Sequence, residues 1–575
     1  MATKLFTSVR IPKVKRNKFD MTHQVKLTTE FGRLTPCFIA ETIPGDTWKM
    51  STDLLCRMMP LATPVMQNFE IYTHFFFVPQ RLIWSEWQDF ITGGKTGKAK
   101  PPIPKLHFDY SDIDAYDELL MPSSLANYLG LPPLNKNKAG SSAIDIDVRP
   151  FRAYQLIYNE YYRDENQQDE IDIHADWSGL HNMSADNYGS QMMSLRQRCW
   201  RKDYFTSALP WPEQGGEGMP IPIDIKSGNI IYDANSKAAV RGSNPALLQE
   251  LMRDVEGESR LFTEAGDVYD GLIADLKIED GRLVNPNGER LILESQGSTY
   301  VNISDIAKHL KVSVSLGENQ TTINDFRRAL AAQKWLEAAA RGGHRYIEAI
   351  LSHFGVRSSD ARLQRPEYLG GGKTNINIGD ILQTSQTTEG DDGSPLGQYA
   401  GIGAGAAHLK EFTKYIEEHG YIIGIVSVMP RADYFQGIPR MWLREDRYDY
   451  YWPEFAHIGE QPIYNAELYS DLKNGVDKGT FGYTPRYAEY KYIPNRIAGA
   501  FADVNDELMM RWHDARVFDK LPALNNEFLE VRSSGTTGLN RIYTYGASDV
   551  DHILLQMQHN TMALRKMPVF GTPLI

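Results

Sequence analysis

Hydrophobic and polar positions alternate in several short stretches of the chain, and each predicts a β-strand. In QVKLTTEF (24–31), Val25, Leu27 and Phe31 fall on one side and Gln24, Lys26, Thr28 and Glu30 on the other, the signature of a half-buried strand. In FEIYTHFFFV (69–78), Phe69, Ile71, Phe75 and Phe77 share one face. The opposite face opens with Glu70 and ends with Phe76 and Val78, so this strand is expected to start on a wet surface and finish buried on both sides. YIIGIVSVM (421–429) is a continuous β-branched run closed by Pro430, as a central strand requires. Near the C-terminus Ile553, Leu555 and Met557 lie on one side of a further strand. Helical periodicity appears between these strands. Pro150 at a first-turn position precedes an aromatic stripe of Phe151, Tyr154, Ile157, Tyr158 and Tyr161. Thr322 and Asp325 form a capping box ahead of INDFRRALAAQKWLEAAARGG, which Gly342 and Gly343 end. Both stripes read as core or subunit contact rather than a cofactor box. Strands scattered this widely, with no βαβ rhythm, predict an antiparallel sandwich carrying large insertions.

Composition narrows the function. The 575 residues are 42% hydrophobic and 23% charged, enough for a sizeable core and unlike a disordered chain. The longest apolar run is the nine residues from Tyr421 to Met429, well short of the roughly 20 that cross a bilayer. MATKLFTSVRIPKVKRNK lacks the apolar stretch of a secretory signal. Cys37, Cys56 and Cys199 are odd in number and far apart, which argues against a disulfide framework or a CxxC knuckle. A soluble protein made in a reducing compartment is expected.

The net charge of −12 is unevenly spread. Residues 1–18 carry Lys4, Arg10, Lys13, Lys15, Arg16 and Lys18, and the first acid is Asp20. Residues 216–300 hold 15 acids against 8 bases. A basic arm attracts polyanions and an acidic segment repels them, so the two are expected to face different surroundings. The bland alternative is a solvated tail and a solvated loop.

Familiar catalytic motifs are incomplete. Gly370-Gly371-Gly372-Lys373-Thr374 resembles the end of a P-loop, but Glu367 stands where the first glycine belongs. GIGAGA (401–406) fails GxGxxG at Ala406 and reads as a flexible loop. His174 and His181 with Asp172 and Asp176 have no fixed third-ligand spacing, so no metal site is assigned. No GxSxG elbow occurs, and carboxylate pairs such as Asp503/Asp506 and Glu417/Glu418 carry no information among 73 acids. Three Asn-x-Ser/Thr matches, at Asn182, Asn302 and Asn319, are chance without a secretory signal. No enzyme and no cofactor are expected.

The informative segments are FVPQRLIWSEWQDFITGG (77–94), YWPEFAHIGEQPIYNAELY (451–469) and FGYTPRYAEYKYIPNRIAGAF (481–501). Proline-punctuated aromatic loops hold large contact surfaces at low entropy cost. Trp84, Trp87, Tyr451, Trp452, Phe455, Tyr464, Tyr483, Tyr487, Tyr490 and Tyr492 are the candidate subunit-interface residues. The alternative is that these loops fold back over their own sandwich.

FDMTHQVKLTTEFGRLTPCFIAETIPGDTWKMS (19–51) and PVMQNFEIYTHFFFVPQRLIW (64–84) resemble the major capsid protein of microviruses, small single-stranded-DNA phages, most closely the gokushovirus branch. The likeness continues through RKDYFTSALPWPEQG (201–215), HFGVRSSDARLQRPEYLGG (353–371), EEHGYIIGIVSVMPRADYFQGIPR (417–440) and the two C-terminal aromatic segments. It departs at 216–300, as a variable surface insertion protruding near the threefold axes would. The resemblance implies a mainly β fold: an eight-stranded antiparallel jelly-roll sandwich with long helix-bearing insertions. Its organisation would be a basic arm (1–20) and a jelly-roll domain (21–575) interrupted by the insertion. It implies 60 copies in a T=1 icosahedral shell around circular single-stranded DNA, assembled in the host cytoplasm. It also implies an internal scaffolding protein, a small basic DNA-binding protein, a pilot protein and a host receptor as partners. The six arm cations, with Arg565 and Lys566 as weaker candidates, would contact DNA. Sixty arms supply about 360 cations against on the order of thousands of phosphates, so the arm would pin DNA rather than neutralise it. Two rival classes stay open on the residues alone: a β-sandwich lectin or glycan hydrolase, and a nucleic-acid-binding module acting alone.

Overall fold

The computed structural model describes residues 15–95, 98–108, 121–133, 144–182, 188–213, 323–342, 346–355, 357, 359–382, 399–470, 476–533, 538–545 and 550–570, together with the backbone of short strands between 225 and 316. Eight strands build the centre: β1 (His23–Thr29), β2 (Thr35–Thr42), β3 (Thr47–Met58), β4 (Phe69–Pro79), β5 (Glu367–Leu382), β6 (Tyr399–Tyr415), β7 (Gly420–Pro430) and β8 (Ile553–Arg565). They pair in the order β1–β8–β3–β6 on one side and β2–β7–β4–β5 on the other, all antiparallel. The second half of β5 also pairs with β6, from Asn377 opposite Ala404 to Leu382 opposite Tyr399, so the ladder curls from one sheet into the next. This is the strand order of a jelly roll. A short edge strand, Asn17–Asp20, continues the line of β1 along the far end of β8. Two insertions, 80–366 and 431–552, carry nearly everything else.

The alternations seen in the sequence are the inside and outside of this sandwich. In β8, Ile553, Leu555, Met557, His559, Thr561 and Ala563 are buried, and their neighbours point outward. Phe69, Ile71, Phe75 and Phe77 of β4 meet them with Ile422, Val426 and Val428 of β7, Phe38 of β2 and Trp48 and Met50 of β3. Each such side chain contributes about 1.5–3 kcal/mol by leaving water. One polar group spans the core: His559 on β8 donates from Nε2 to the Cys37 carbonyl on β2 (3.0 Å), leaving Nδ1 to accept from Thr52 (2.9 Å). Burial lowers its pKa to about 4, so the ring stays neutral.

A helical layer covers the outer side of the second sheet. Helix α1 (Arg149–Tyr161), with Pro150 in its first turn as expected, packs Phe151, Tyr154, Ile157 and Tyr158 on Tyr421, Ile423 and Ile425 of β7 and Phe76 and Val78 of β4. Buried Arg152 holds the layer together. It donates to the Ile83 and Trp177 carbonyls and to Tyr188 Oη, at 3.1, 3.2 and 2.8 Å. β7 is therefore buried along its whole length, as its unbroken apolar run predicted.

Two expectations are corrected. GIGAGA is not a flexible loop but the first half of β6, with Gly401, Gly403 and Gly405 facing inward. A Cβ at Gly401 would stand 2.5 Å from the Thr63 carbonyl, and one at Gly403 would strike the Met58 side chain. The inner positions are thus small because neighbours fill the space. Glu70 is not on a wet surface either; it is 3% exposed under the insertion layer. Burial alone would raise its pKa, but hydrogen bonds from Tyr72 and Arg431 (2.9 Å) and the charge of Lys373 (3.5 Å) hold the carboxyl down at about 2. Lys373, the lysine of the P-loop look-alike, belongs to this cluster. Gly371 lies where a Cβ would strike the Thr73 carbonyl, so that run is close strand packing.

The helix after Thr322 spans Ile323–Gly342, and Thr322 itself lies outside the described residues. The chain separates into two compact units, 1–216 with 336–575, and 217–335. In the second, Ile225–Asp233 pairs with Leu310–Leu316 and Arg260–Thr263 with Leu291–Glu294, both antiparallel. Among the described residues no helix is long and apolar enough to cross a membrane, and no three His, Cys, Asp or Glu converge as metal ligands.

Candidate assembly and nucleic-acid interfaces

The aromatic segments divide into anchors and surface. Trp84 is fully buried, its Nε1 donating to Ser178 Oγ (2.7 Å). Arg149 stands 5.6 Å from the Trp84 and Trp87 rings alike. Trp87 is half-buried against Phe90 and His419. Tyr487 is 2% exposed and sits at φ +62°, unusual for a bulky residue. Its hydroxyl donates to the Tyr450 carbonyl (3.3 Å) and accepts from the Trp452 amide (3.2 Å), pinning one aromatic loop onto another. Trp84 and Tyr487 therefore offer no surface to a partner, and their assignment as interface residues is corrected: they brace the loops from within. Tyr464, under the Arg440 guanidinium (4.7 Å), and Tyr483, whose backbone exchanges hydrogen bonds with Leu209 (2.8 and 2.9 Å), are half-buried. So is Phe455, edge-on to Tyr448.

What remains outside is large. Tyr451, Trp452, Tyr490 and Tyr492 are each about half exposed or more. They are joined by side chains that were not singled out in the sequence: Trp442 at 72%, Ile493 at 92%, Met441, Tyr450 and Ile458. The Arg444 guanidinium bridges Tyr450 and Tyr490, 4.8 and 5.0 Å from their rings, and so ties 444–450 to 490. Exposed apolar surface of this kind on one stretch of chain marks an interaction site. Its sequence signal was incomplete because Met441-Trp442 lies outside the proline-punctuated runs.

The cationic candidates split in the same way. Lys15, Arg16 and Lys18 are exposed at the edge strand, with Arg16 5.6 Å from the Tyr415 ring. Asn17 Nδ2 donates to the Met567 carbonyl (2.6 Å), so the end of the arm is tied to the chain's last described residues. Lys4, Arg10 and Lys13 lie outside the described residues. Lys566 is exposed. Arg565 is not free for DNA: it pairs with buried Asp46 (3.0 Å), donates to the Glu41 carbonyl (2.8 Å) and stacks 5.1 Å from the Trp48 ring. That candidate is corrected to an internal brace.

The thiols are inert. Cys37 and Cys56 are buried, and burial pushes the Cys56 and Cys199 thiols up to about 12. His174 and His181 pack against Tyr188, and His181 also against Trp177.

Comparison with known proteins matches this architecture. Residues 7–575 fit the family described as Capsid protein (F protein). Capsid protein VP1 of Chlamydia phage 1 is 32% identical, over 99% of this chain and 97% of that protein. Capsid protein VP1 of Bdellovibrio phage phiMH2K is also 32% identical, covering 97% and 95%. That of Spiroplasma virus 4 is 28% identical, covering 99% and 96%. With the jelly roll, the exposed aromatic surface and full-length likeness in place, the chain belongs to the phage capsid protein (F protein) family, as a major capsid protein of the microvirus type and a structural component of the virion.

Proposed function

We propose that 60 copies of this chain assemble into a closed T=1 icosahedral shell around circular single-stranded DNA. The observation that carries this reading is the exposed aromatic surface formed by Trp442, Tyr450–Trp452 and Tyr490–Ile493. A monomer gains nothing by leaving it wet, whereas a heterologous contact repeated about closing rotation axes buries it in every copy. Each contact can be modest, because every subunit makes several at once and avidity multiplies them. Lys15, Arg16 and Lys18 would face inward and lead the arm onto DNA through phosphate contacts indifferent to base sequence. Assembly would take place in the host cytoplasm, with an internal scaffolding protein, a small basic DNA-binding protein and a pilot protein. The acidic insertion 216–300 would face outward near the threefold axes and contact the host receptor.

Electron microscopy of the purified protein and of its native particle tests the shell. Closed particles of uniform diameter are expected, and a chain that stays monomeric at high concentration would refute it. Deleting 216–300 should leave particles intact and abolish adsorption; loss of assembly would refute the placement of the insertion.

A further inference from the structure

The outer side of β1–β8–β3–β6 has no counterpart, among the described residues, to the helical layer on the other sheet. Leu55, Leu554 and Ile402 stand 39–44% exposed on it, between Gln24, Gln556 and Gln558. At one end it holds a groove of about 610 Å³, bounded by β1, β3, β8 and the segment around Pro122 and Tyr128. Leu55, Leu554 and Pro122 give it apolar walls, Asn127 and Gln556 give amide groups, and Lys26 and Arg57 line it as well. Both cations are exposed, and neither has a carboxylate partner among the described residues. Elsewhere on this sheet the charges are largely spoken for. Asp53 is held by His408 (2.6 Å) and Asn560 (2.8 Å), and Lys49 by Glu411 (3.1 Å). At the other end, beside Asp20, Lys15, Arg16 and Lys18 project from the edge strand. From Arg57 to Thr47 along β3 is ten residues, about 33 Å.

We propose that this bare face is a track for single-stranded nucleic acid, with one base seated in the groove and Lys26 and Arg57 holding its flanking phosphates. The proposal deepens the shell reading, on which the inward aspect of the face rests. Charge complementarity selects the occupant: unpaired cations at both ends of a face whose middle is amide and aliphatic suit a flexible polyanion with planar apolar units. The apolar walls take the face of any base, and the amides meet whichever edge is presented. Binding is therefore tolerant of sequence. The track begins where the cationic arm leaves the edge strand, so arm and groove engage one strand at two separated points.

The test uses the full-length chain and a 20-nucleotide oligo(dT), read by fluorescence anisotropy across a salt series. K26Q/R57Q should weaken binding about tenfold at low salt and flatten the salt dependence by about 1.4, the share of two phosphate contacts on a single strand. An oligonucleotide carrying 5-iodouracil should cross-link to the wild-type chain within residues 121–133, a readout independent of any variant's folding. Unchanged affinity in K26Q/R57Q, with binding lost on removing residues 1–18, would overturn the track and leave the arm and the shell standing. Displacement of the DNA by polyglutamate at equal charge, without the cross-link, would also overturn it and assign the face to an acidic peptide. Closed particles formed by K26Q/R57Q keep the shell reading separate from either result.

Discussion

The outer sides of the two sheets belong to strands of the same barrel, yet one lies beneath the chain's own insertion and the other is open. On β7, Tyr421, Ile423 and Ile425 are as deeply buried as the residues between them that face the barrel core. On β8 the outward positions are Leu554, Gln556, Gln558 and Asn560. The difference is written as an unbroken apolar run against strict alternation, and it separates two kinds of surface: one completed within the subunit, the other left for something else to cover. The aromatic loops obey the same division on a smaller scale. Trp84 and Tyr487 close the subunit, while Trp442 and Ile493 are left for a neighbour.

The contrast is breakable by mutation. The largest effect is expected for Ile423→Ala, which opens a cavity beneath α1 and should cost about 2–5 kcal/mol, against under about 1 kcal/mol for Leu554→Ala on the open side. Denaturant midpoints of the two variants measure this, and equal losses would erase the distinction. Acid should act next. Burial, with the nearby Arg198 charge, lowers the His74 pKa on the covered side of β4 to about 4, so the unfolded chain takes up a proton first as pH falls. Stability is full above about 6.5 and declines toward pH 4, by on the order of 2–3 kcal/mol. Glu70 beside it, held at about 2, adds a further loss below pH 4.5. His74→Gln should flatten the first stretch of a melting-temperature profile against pH and leave the second. Gly403→Ala, which presses on Met58, should cost about 1–3 kcal/mol, whereas Ala404→Ser, outward on the same strand, should stay within about 0.5 kcal/mol. The smallest stability change belongs to Ile493→Ser, again within about 0.5 kcal/mol, yet sedimentation should show assembly impaired. Intact assembly would remove that residue from the contact.

Much of the barrel was legible because its strands obey the period of two. β7 and β8 could be read from their side chains alone. β6 could not, because its inner residues are glycines fitted around Met58 and Thr63, partners some 340 positions earlier in the chain, and small residues give no hydrophobic signal. The same distance hid the fate of Arg565 and Glu70: a charged side chain looks solvated until its partner, Asp46 or Arg431, is known to stand beside it. The interface residues were half legible. Composition marks an aromatic loop as a contact surface, but only the folded chain tells whether Tyr487 meets itself or another copy. The groove on the open face had no local signature, since Lys26, Arg57 and Gln556 meet only across three strands.

Strand β8 lies between β1 and β3, although it is the last of the eight to be synthesised. A ribosome must therefore deliver more than five hundred residues before the first-made strand finds its neighbour. Until then β1 and β3 present raw edges, and a truncated product cannot masquerade as a subunit. Quality control is thus built into the topology: a copy able to join its siblings is one whose translation has reached the far end.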